Sequence, residues 1–299
     1  MKNHQLKGII YCLLTAIFWG SGFPAQYIGG LTIGSFYFNA FRTVIGVAII
    51  FLAIILNNLY KYKRLIFFDK TEDIKYIIKT SMLSGLLLAT AILVQQIGVE
   101  KTISAKSGLI SSLTCVVVPL ILMIVANRKI NYKTWILIFI LMIGMALLNS
   151  VETASINIGD LICFASTIFF SIDIILVNIL VKDIEPLKFS MFRFITVSIV
   201  SFILAFIFDN KITTANLNNS LAVIIYSGIF VTGLAYTTQL IGEKYTEPVV
   251  ATILMGLEGL FACIFGFLIL GEVLSPTQIL GCAIIIVSTI FIQINEYKC

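Results

Sequence analysis

The feature that most constrains this chain is a series of ten apolar segments that together fill most of its 299 residues. Their approximate limits are 7–27, 35–56, 76–98, 104–126, 134–149, 158–180, 188–208, 219–241, 248–270 and 276–294. Most of them reach the roughly 20 residues that an α-helix needs to cross a hydrocarbon core of about 30 Å. Hydrophobic residues make up 59% of the chain and charged residues only 12%. A water-soluble fold cannot bury so many continuous apolar runs, so we predict an all-α integral membrane protein.

The distribution of lysine and arginine predicts the orientation of the chain. With the N-terminus in the cytoplasm, only Lys101, Lys106 and Lys211 fall in outward segments. The inward segments hold Lys2, Lys7, Lys61, Lys63, Arg64, Lys70, Lys75, Lys79, Arg128, Lys129, Lys133, Lys182, Lys188, Lys244 and Lys298. Because cytoplasmic loops accumulate positive charge, both termini are expected in the cytoplasm of an inner or plasma membrane. The net charge of +5 therefore reflects topology and does not require a nucleic-acid partner.

The two halves of the chain echo each other. A Phe-Arg pair at 41–42 recurs at 192–193, an offset of 151, and Gln96 recurs as Gln239, an offset of 143. The loop after the second segment is longer than the loop after the seventh, which accounts for the change of offset. Five spans in each half reverse the sense in which the second half enters the membrane. We therefore predict two inverted five-helix repeats, residues 1–150 and 151–299, an arrangement that is common among secondary transporters.

No motif favours an enzyme. The sequence contains no P-loop, no HExxH and no GxSxG, so ATP is not expected to drive transport directly. The six cysteines form no CxxC pair and the one histidine is His4, so neither a metal nor another cofactor is expected. The alternative from a different class is a membrane enzyme acting on a lipid substrate, which would need a carboxylate pair or a histidine facing a cavity.

Three short motifs carry a resemblance to a known family. They read AIFWGSGFP at 16–24, FNAFR at 38–42 and LGEVL at 270–274. The chain resembles, over nearly its whole length, the drug/metabolite transporter superfamily, specifically its ten-helix members with two EamA repeats. This resemblance implies a carrier, whose cargo in such proteins ranges over amino acids, other metabolites and drugs. The chain has Gly259 where members often have proline, and Asp173 where an aromatic or small residue is usual.

Glu258 is the first candidate for a functional residue. It lies about ten residues into the ninth span, roughly 15 Å deep and close to the membrane midplane. An ionised carboxylate that faced lipid there would cost about 2.5–3.5 kcal/mol or more, so the side chain should face the interior of the bundle. It either binds a cationic group or a proton, or it is a neutral acid that holds neighbouring helices together.

Three further charged residues are candidates for coupling or gating. Asp173 either serves in a proton relay or partners a basic side chain, or it makes a hydrogen bond between helices. Arg42 and Arg193 occupy equivalent places in the two repeats, five to seven residues inside their spans. They either pair with a carboxylate in a gate or extend to the lipid headgroups.

Uncharged candidates for the substrate site share a place inside a span and a side chain that can bind a polar or aromatic ligand. They are Trp19, Phe23, Gln95, Gln96, Ser112, Tyr236 and Gln239. For each of them, helix packing or a hydrogen bond within the bundle is the alternative. Pro24 and Pro119 are expected to kink the first and fourth spans.

Together these features predict a secondary transporter that moves a small metabolite across the inner membrane by alternating access. The favoured function is the export of an amino acid or a related compound. A multidrug or lipophilic-cation exporter is the alternative, because an acid among aromatic side chains also suits a cation. The expected partners are a small-molecule substrate and the lipid bilayer, and the chain is expected to be a monomer or a homodimer.

Overall fold

The structure is a computed structural model that describes residues 2–63, 73–102, 104–127, 131–148, 156–180, 184–209, 212–270 and 275–297. Nearly all of these residues lie in helices. The motif at 270–274 lies mostly outside the described residues.

The helices of the first half are α1 (Lys2–Ile33), α2 (Ser35–Tyr62), α3 (Ile74–Val99), α4 (Ser104–Ser112), α5 (Thr114–Val125) and α6 (Tyr132–Leu148). Those of the second half are α7 (Ile158–Leu180), α8 (Pro186–Phe208), α9 (Thr214–Tyr226), α10 (Tyr236–Tyr245), α11 (Pro248–Met255), α12 (Glu258–Leu270) and α13 (Pro276–Tyr297). A π-helical segment, Ser227–Ala235, joins α9 to α10 without a break.

The helices confirm that the chain is a helical membrane protein. Among the described residues, seven apolar stretches of 20 to 32 residues are long enough to cross a bilayer, and three shorter apolar helices lie where the fifth, ninth and tenth spans were predicted. Large apolar side chains cover the outside of the bundle, with Leu83 64%, Phe139 65% and Phe206 76% exposed. Such a surface is suited to lipid and not to water. The number of crossings and the cytoplasmic placement of the termini stay predictions.

Two of the predicted spans are interrupted at repeat-equivalent positions. The fourth span turns at Leu113, between α4 and α5, and the ninth turns at Gly256 and Leu257, between α11 and α12. At each turn a backbone N–H bonds to the carbonyl three residues earlier, from Leu113 to Ile110 and from Leu257 to Leu254. The ninth span therefore breaks without the proline that related sequences often carry.

The two interruptions contact each other at the centre of the bundle. The backbone N–H of Gly259 donates to the Ser112 hydroxyl at 3.2 Å, and that hydroxyl bonds to the Gly108 carbonyl at 3.0 Å. Discontinuous helices that meet at the midplane expose backbone groups and helix ends where a transporter binds its cargo. This crossing therefore positions the N-terminus of α12, which begins at Glu258, in the middle of the protein.

Helix α1 packs through the centre of the fold and contacts both halves. A Cβ atom placed at Gly20 would lie 2.6 Å from the Glu258 carbonyl oxygen and 2.6 Å from the Cβ of Phe261. Real Cβ atoms do not approach other atoms so closely, so glycine is what allows α1 and α12 to touch.

We expect Gly20→Ala to lower the free energy of unfolding by about 1–3 kcal/mol, because the backbone of α12 must move to admit a methyl group. Gly233→Ala is the matched control, since the nearest atom to its new Cβ is a side-chain carbon of Ile49 at 3.1 Å. Thermal unfolding of the two purified variants in detergent measures the difference. Equal unfolding temperatures would show that the α1–α12 contact adapts freely.

The π-helical segment alters which residues share a face of the eighth span. In a π-helix the hydrogen bonds join residues five apart, so side chains at i and i+5 align. Val231 and Tyr236, which are five apart, both face the interior cavity described below. The segment lies directly against α2, because a Cβ at Gly228 would be 2.9 Å from the Arg42 carbonyl oxygen.

We name the two ends of the bundle by the helix termini they hold. The terminal face is where α1 begins and α10 ends, and a Cβ at Gly8 there would meet the side chains of Tyr245 and Thr246. The opposite face is where α1 ends and α2 begins. There Asp209 accepts hydrogen bonds from the backbone N–H groups of Phe36 at 2.9 Å and Tyr37 at 2.8 Å. The charge distribution predicts that the terminal face is cytoplasmic.

Candidate functional site

An interior cavity lies beside the crossing of the interrupted helices. The empty space inside it and at its opening measures about 510 Å³. Side chains from both halves of the chain line it: Trp19, Phe23, Gln26, Arg42, Gln95, Ser111, Thr114, Phe170, Ile174, Val231, Tyr236, Met255 and Glu258. Of the predicted substrate residues, Trp19, Phe23, Gln95, Tyr236 and Glu258 are therefore brought together.

Glu258 supplies the carboxyl group of the cavity. It is 5% exposed and begins α12, where the positive end of the helix dipole favours a negative charge. The Ser111 hydroxyl donates to its carboxyl group, and the Gln95 amide donates to Ser111 at 3.2 Å. This chain from α3 through α4 to α12 orients the carboxyl and leaves it facing the space that a cargo would fill.

Arg42 supplies the positive charge of the same cavity. Its Nε–H donates to the Asn39 amide oxygen at 2.7 Å, and its guanidinium lies 5.5 Å from the centre of the Phe38 ring. The side chain is only 2% exposed, so it does not extend to a surface. No carboxylate of the described residues lies within salt-bridge distance of it. A buried guanidinium without a carboxylate partner can donate hydrogen bonds to an anionic group of a ligand.

Aromatic rings form the wall next to these charges. The ring of Tyr236 lies edge-on to Trp19 at 5.0 Å and to Phe194 at 4.9 Å between centroids. Tyr236 lines the same cavity as Arg42 and Glu258. The buried indole Nε1–H of Trp19 has no hydrogen-bond partner among the described residues. The wall thus offers apolar contact together with one free donor.

The second arginine, Arg193, has a different environment from its repeat mate. It is fully buried and its Nη2 donates to both oxygens of Asp173, at 2.7 and 2.5 Å. The Ser84 hydroxyl lies 3.4 Å from one of those oxygens. Neither Asp173 nor Arg193 lines the cavity, so the pair ties α7, α8 and α3 together beside it. Equivalent positions in the repeats therefore hold one paired and one unpaired arginine.

Three of the predicted substrate residues do not line the cavity. The Gln96 amide donates to the Gln26 carbonyl at 2.9 Å and to Glu100 at 3.2 Å. The Gln239 amide donates to Glu243 at 2.8 Å. Ser112 links the two helix interruptions, as described above. These three residues make hydrogen bonds within the bundle, and a role in substrate binding stays a prediction for them.

Several residues that line the cavity were not predicted from the sequence, although the spacing of some of them indicates that they share a helix face with predicted residues. Gln26 lies three residues after Phe23 and seven after Trp19, so the three share one face of α1. Met255 likewise precedes Glu258 by three residues. Ser111 and Thr114 gave no such signal, because serine and threonine in a membrane helix commonly bond to their own backbone. Val231 had no such signal, because its alignment with Tyr236 depends on the π-helical segment.

Two carboxyl groups lie close together just outside the spans, at the opposite face. The Ser35 hydroxyl donates to Glu100 at 2.5 Å, while Asp209 caps the N-terminus of α2. Burial raises the pKa of both carboxyl groups above the usual range. Over the rest of the described chain, no group of three or more His, Cys, Asp and Glu side chains is arranged to hold a metal ion.

Comparison with known proteins places this architecture in a family. The EamA-like transporter family model matches twice, over residues 6–150 and 157–294. A protein of Archaeoglobus fulgidus described as an uncharacterized transporter is 25% identical over 284 residues, covering 94% of this chain and 84% of the relative. A solved crystal structure has the same fold, with a TM-score of 0.75, 13% identity and 94% of each chain covered. The double match over nearly the whole sequence shows that the chain belongs to the EamA-like transporter family and is a membrane transporter.

Proposed function

We propose that this chain is a secondary transporter that exports a small zwitterionic metabolite, an amino acid or a related compound. The observation that carries the proposal is the pair of opposite charges in one cavity, the Glu258 carboxyl and the unpaired Arg42 guanidinium. An amino acid presents an ammonium and a carboxylate on one carbon. Arg42 suits the carboxylate because its fork can donate two parallel hydrogen bonds, and Glu258 suits the ammonium.

The interrupted helices support alternating access as the mechanism. The cavity lies where α4, α5, α11 and α12 meet, and these helices come from both repeats. Rocking one repeat against the other would open such a site first to one face and then to the opposite one. With no P-loop in the sequence, an ion gradient or the gradient of the cargo itself supplies the energy. We place the transporter in the inner or plasma membrane, with cytoplasmic termini, as a monomer or homodimer.

The test of this proposal is flux into proteoliposomes. Wild type should exchange labelled amino acids, and Glu258→Gln should lose about 10- to 100-fold in rate, because a hydrogen bond to a charged group contributes about 1.5–3 kcal/mol. Glu100→Gln is the matched control, since it makes the same chemical change at a carboxyl outside the cavity. A Glu258→Gln variant with an unchanged rate and pH dependence would remove Glu258 from the mechanism.

A lipophilic-cation exporter is the second candidate. It is favoured by Glu258 standing among Trp19, Phe170 and Tyr236, because aromatic faces attract cations. Arg42 argues against it, since a cation without an acidic group would leave the guanidinium buried and unpaired. Cells that express the protein should survive toxic amino-acid analogues better than control cells and should gain no resistance to cationic dyes. The reverse pattern would favour the cation exporter.

A further inference from the structure

A second buried carboxyl lies outside the cavity, near the terminal face. Glu243 is in the last turn of α10, two residues and thus roughly 3 Å of helix rise before its end at Tyr245. It is 1% exposed, and its Oε1 accepts a hydrogen bond from Gln239 at 2.8 Å. Its Oε2 is buried and has no hydrogen-bond partner among the residues that the structure describes. Nothing in the substrate site described above requires this acid.

Glu243 belongs to a cluster whose charges do not balance. It lies against α7 and α8: the Asn178 amide on α7 donates to the Glu243 backbone carbonyl at 2.9 Å, and Phe189 on α8 packs with Leu240 on α10. Its carboxyl is near enough to Asp173, Arg193 and the Cys12 thiol on α1 to interact with them electrostatically. Asp173 already holds Arg193 with both of its oxygens. If both carboxyls were ionised, the buried cluster would carry one uncompensated negative charge, which is costly in an apolar interior. One proton on Glu243 makes the cluster neutral.

Arg193 has unused donors for the other protonation state. Its Nε and Nη1 are buried and have no hydrogen-bond partner in the described part of the chain. A deprotonated Glu243 would attract these N–H groups, and Arg193 would then be shared between two carboxylates on α7 and α10. Protonation would release Glu243 and leave Arg193 to Asp173 alone, as observed. The cluster therefore has two arrangements that differ by one proton and by the contact between α8 and α10.

The cluster is mechanically connected to the substrate cavity. Glu243 lies seven residues after Tyr236, two turns along the same face of α10. Asp173 directly precedes Ile174, and both Ile174 and Tyr236 line the cavity. A shift of α10 relative to α8 would therefore move the aromatic wall next to Arg42 and Glu258.

We propose that Glu243 is a proton-binding site whose occupancy, sensed by Arg193, couples transport to a proton gradient. The inference rests on the proposed transport function and adds its driving ion. The proton enters from the aqueous phase at the terminal face and binds one carboxylate oxygen of Glu243. The repeat mate, Glu100, shares the glutamine four residues earlier, but it accepts a hydrogen bond from Ser35, and the charged groups that act on it are Lys101 and Asp209.

The test uses full-length protein in proteoliposomes, with a pH gradient imposed in either direction. Wild type should accumulate labelled amino acid against its concentration gradient for one of the two directions of the pH gradient, the one that drives transport. Glu243→Gln, which keeps a neutral side chain of the same shape, should lose this accumulation and still exchange substrate at equal pH. Glu100→Gln should accumulate substrate like wild type. The inference would be overturned if Glu243→Gln still accumulates substrate. It would also be overturned if the pH gradient has no effect on transport by the wild type.

A second measurement needs no substrate and separates this inference from the proposed function. Infrared difference spectra of the purified protein between two pH values should show the carbonyl stretch of a protonated carboxylic acid that is missing in Glu243→Gln. Identical spectra for wild type and Glu243→Gln would contradict the proton site even if transport is confirmed. A wild type that exchanges no amino acid would contradict the proposed substrate, and the spectra would still decide the proton site.

Discussion

Replacing Arg42 by methionine is expected to weaken binding of a zwitterionic substrate roughly 30-fold to more than 1000-fold. Truncating one partner of a buried, hydrogen-bonded charge pair costs about 2–5 kcal/mol, and each 1.36 kcal/mol is a factor of ten. Methionine keeps much of the apolar length of the side chain, so the cavity should retain its packing next to Phe38. Concentration-dependent uptake into proteoliposomes gives the KM, and a thermal shift with added substrate gives the Kd.

The chemistry of the substrate provides the control for this variant. An amine that lacks the carboxylate should be a poor substrate of wild type, and Arg42→Met should not weaken it further. Arg42→Lys should be intermediate, because an ammonium keeps the charge but not the planar fork that donates two parallel hydrogen bonds. If Arg42→Met lowers the affinity for the amino acid and the decarboxylated amine equally, Arg42 does not recognise the carboxylate.

Breaking the Asp173–Arg193 pair is expected to have the largest effect on stability. Asp173→Leu should lower the free energy of unfolding by about 3–5 kcal/mol, because it leaves the Arg193 guanidinium charged and buried without a carboxylate. The double variant Asp173→Leu/Arg193→Met should recover most of that loss, since two apolar side chains of similar volume replace both charges. Unfolding in detergent with increasing denaturant measures both variants and wild type.

The double-mutant cycle contains its own check. If the two side chains act as a pair, the effect of the double variant is much smaller than the sum of the single effects. Additive losses would show that Asp173 and Arg193 contribute separately, through packing. The same double variant should also lose proton-driven accumulation if Arg193 senses the charge of Glu243, which joins this prediction to the proton site.

The two arginines illustrate what sequence reasoning could not resolve. Their depth in the spans allowed either a gate or a side chain that extends to the headgroups. The structure buries both, pairs Arg193 with Asp173 and leaves Arg42 in the cavity. The depth of each arginine in the membrane follows from its position in the span. The partner of its side chain depends on which faces of neighbouring helices meet, and the sequence of one helix does not contain that information.

The helix interruptions show a similar limit. The sequence predicted kinks at Pro24 and Pro119, where a backbone hydrogen bond is lost. Pro24 lies inside α1 and Pro119 inside α5, and the kinks stay predictions. The interruptions occur at other positions, at Leu113 and at Gly256 and Leu257, where Ser112 accepts a hydrogen bond from Gly259. The Ser112 hydroxyl satisfies the Gly259 N–H at the second break, which forms without a proline. The π-helical segment, which brings Val231 beside Tyr236, was likewise unforeseen.

The sequence by itself determined that the protein is a helical membrane protein of the EamA-like family, and it predicted that Glu258 lies deep in a span. These conclusions follow from the length and apolarity of segments and from spacing along the chain, which are local properties. Only the tertiary structure decided that Glu258 shares a cavity with Arg42, and that Glu243 joins Asp173 and Arg193. Such pairings require side chains up to 216 residues apart along the chain, as Arg42 and Glu258 are, to face the same space. The rotation and crossing of the helices set that geometry, and they result from the packing of the whole bundle.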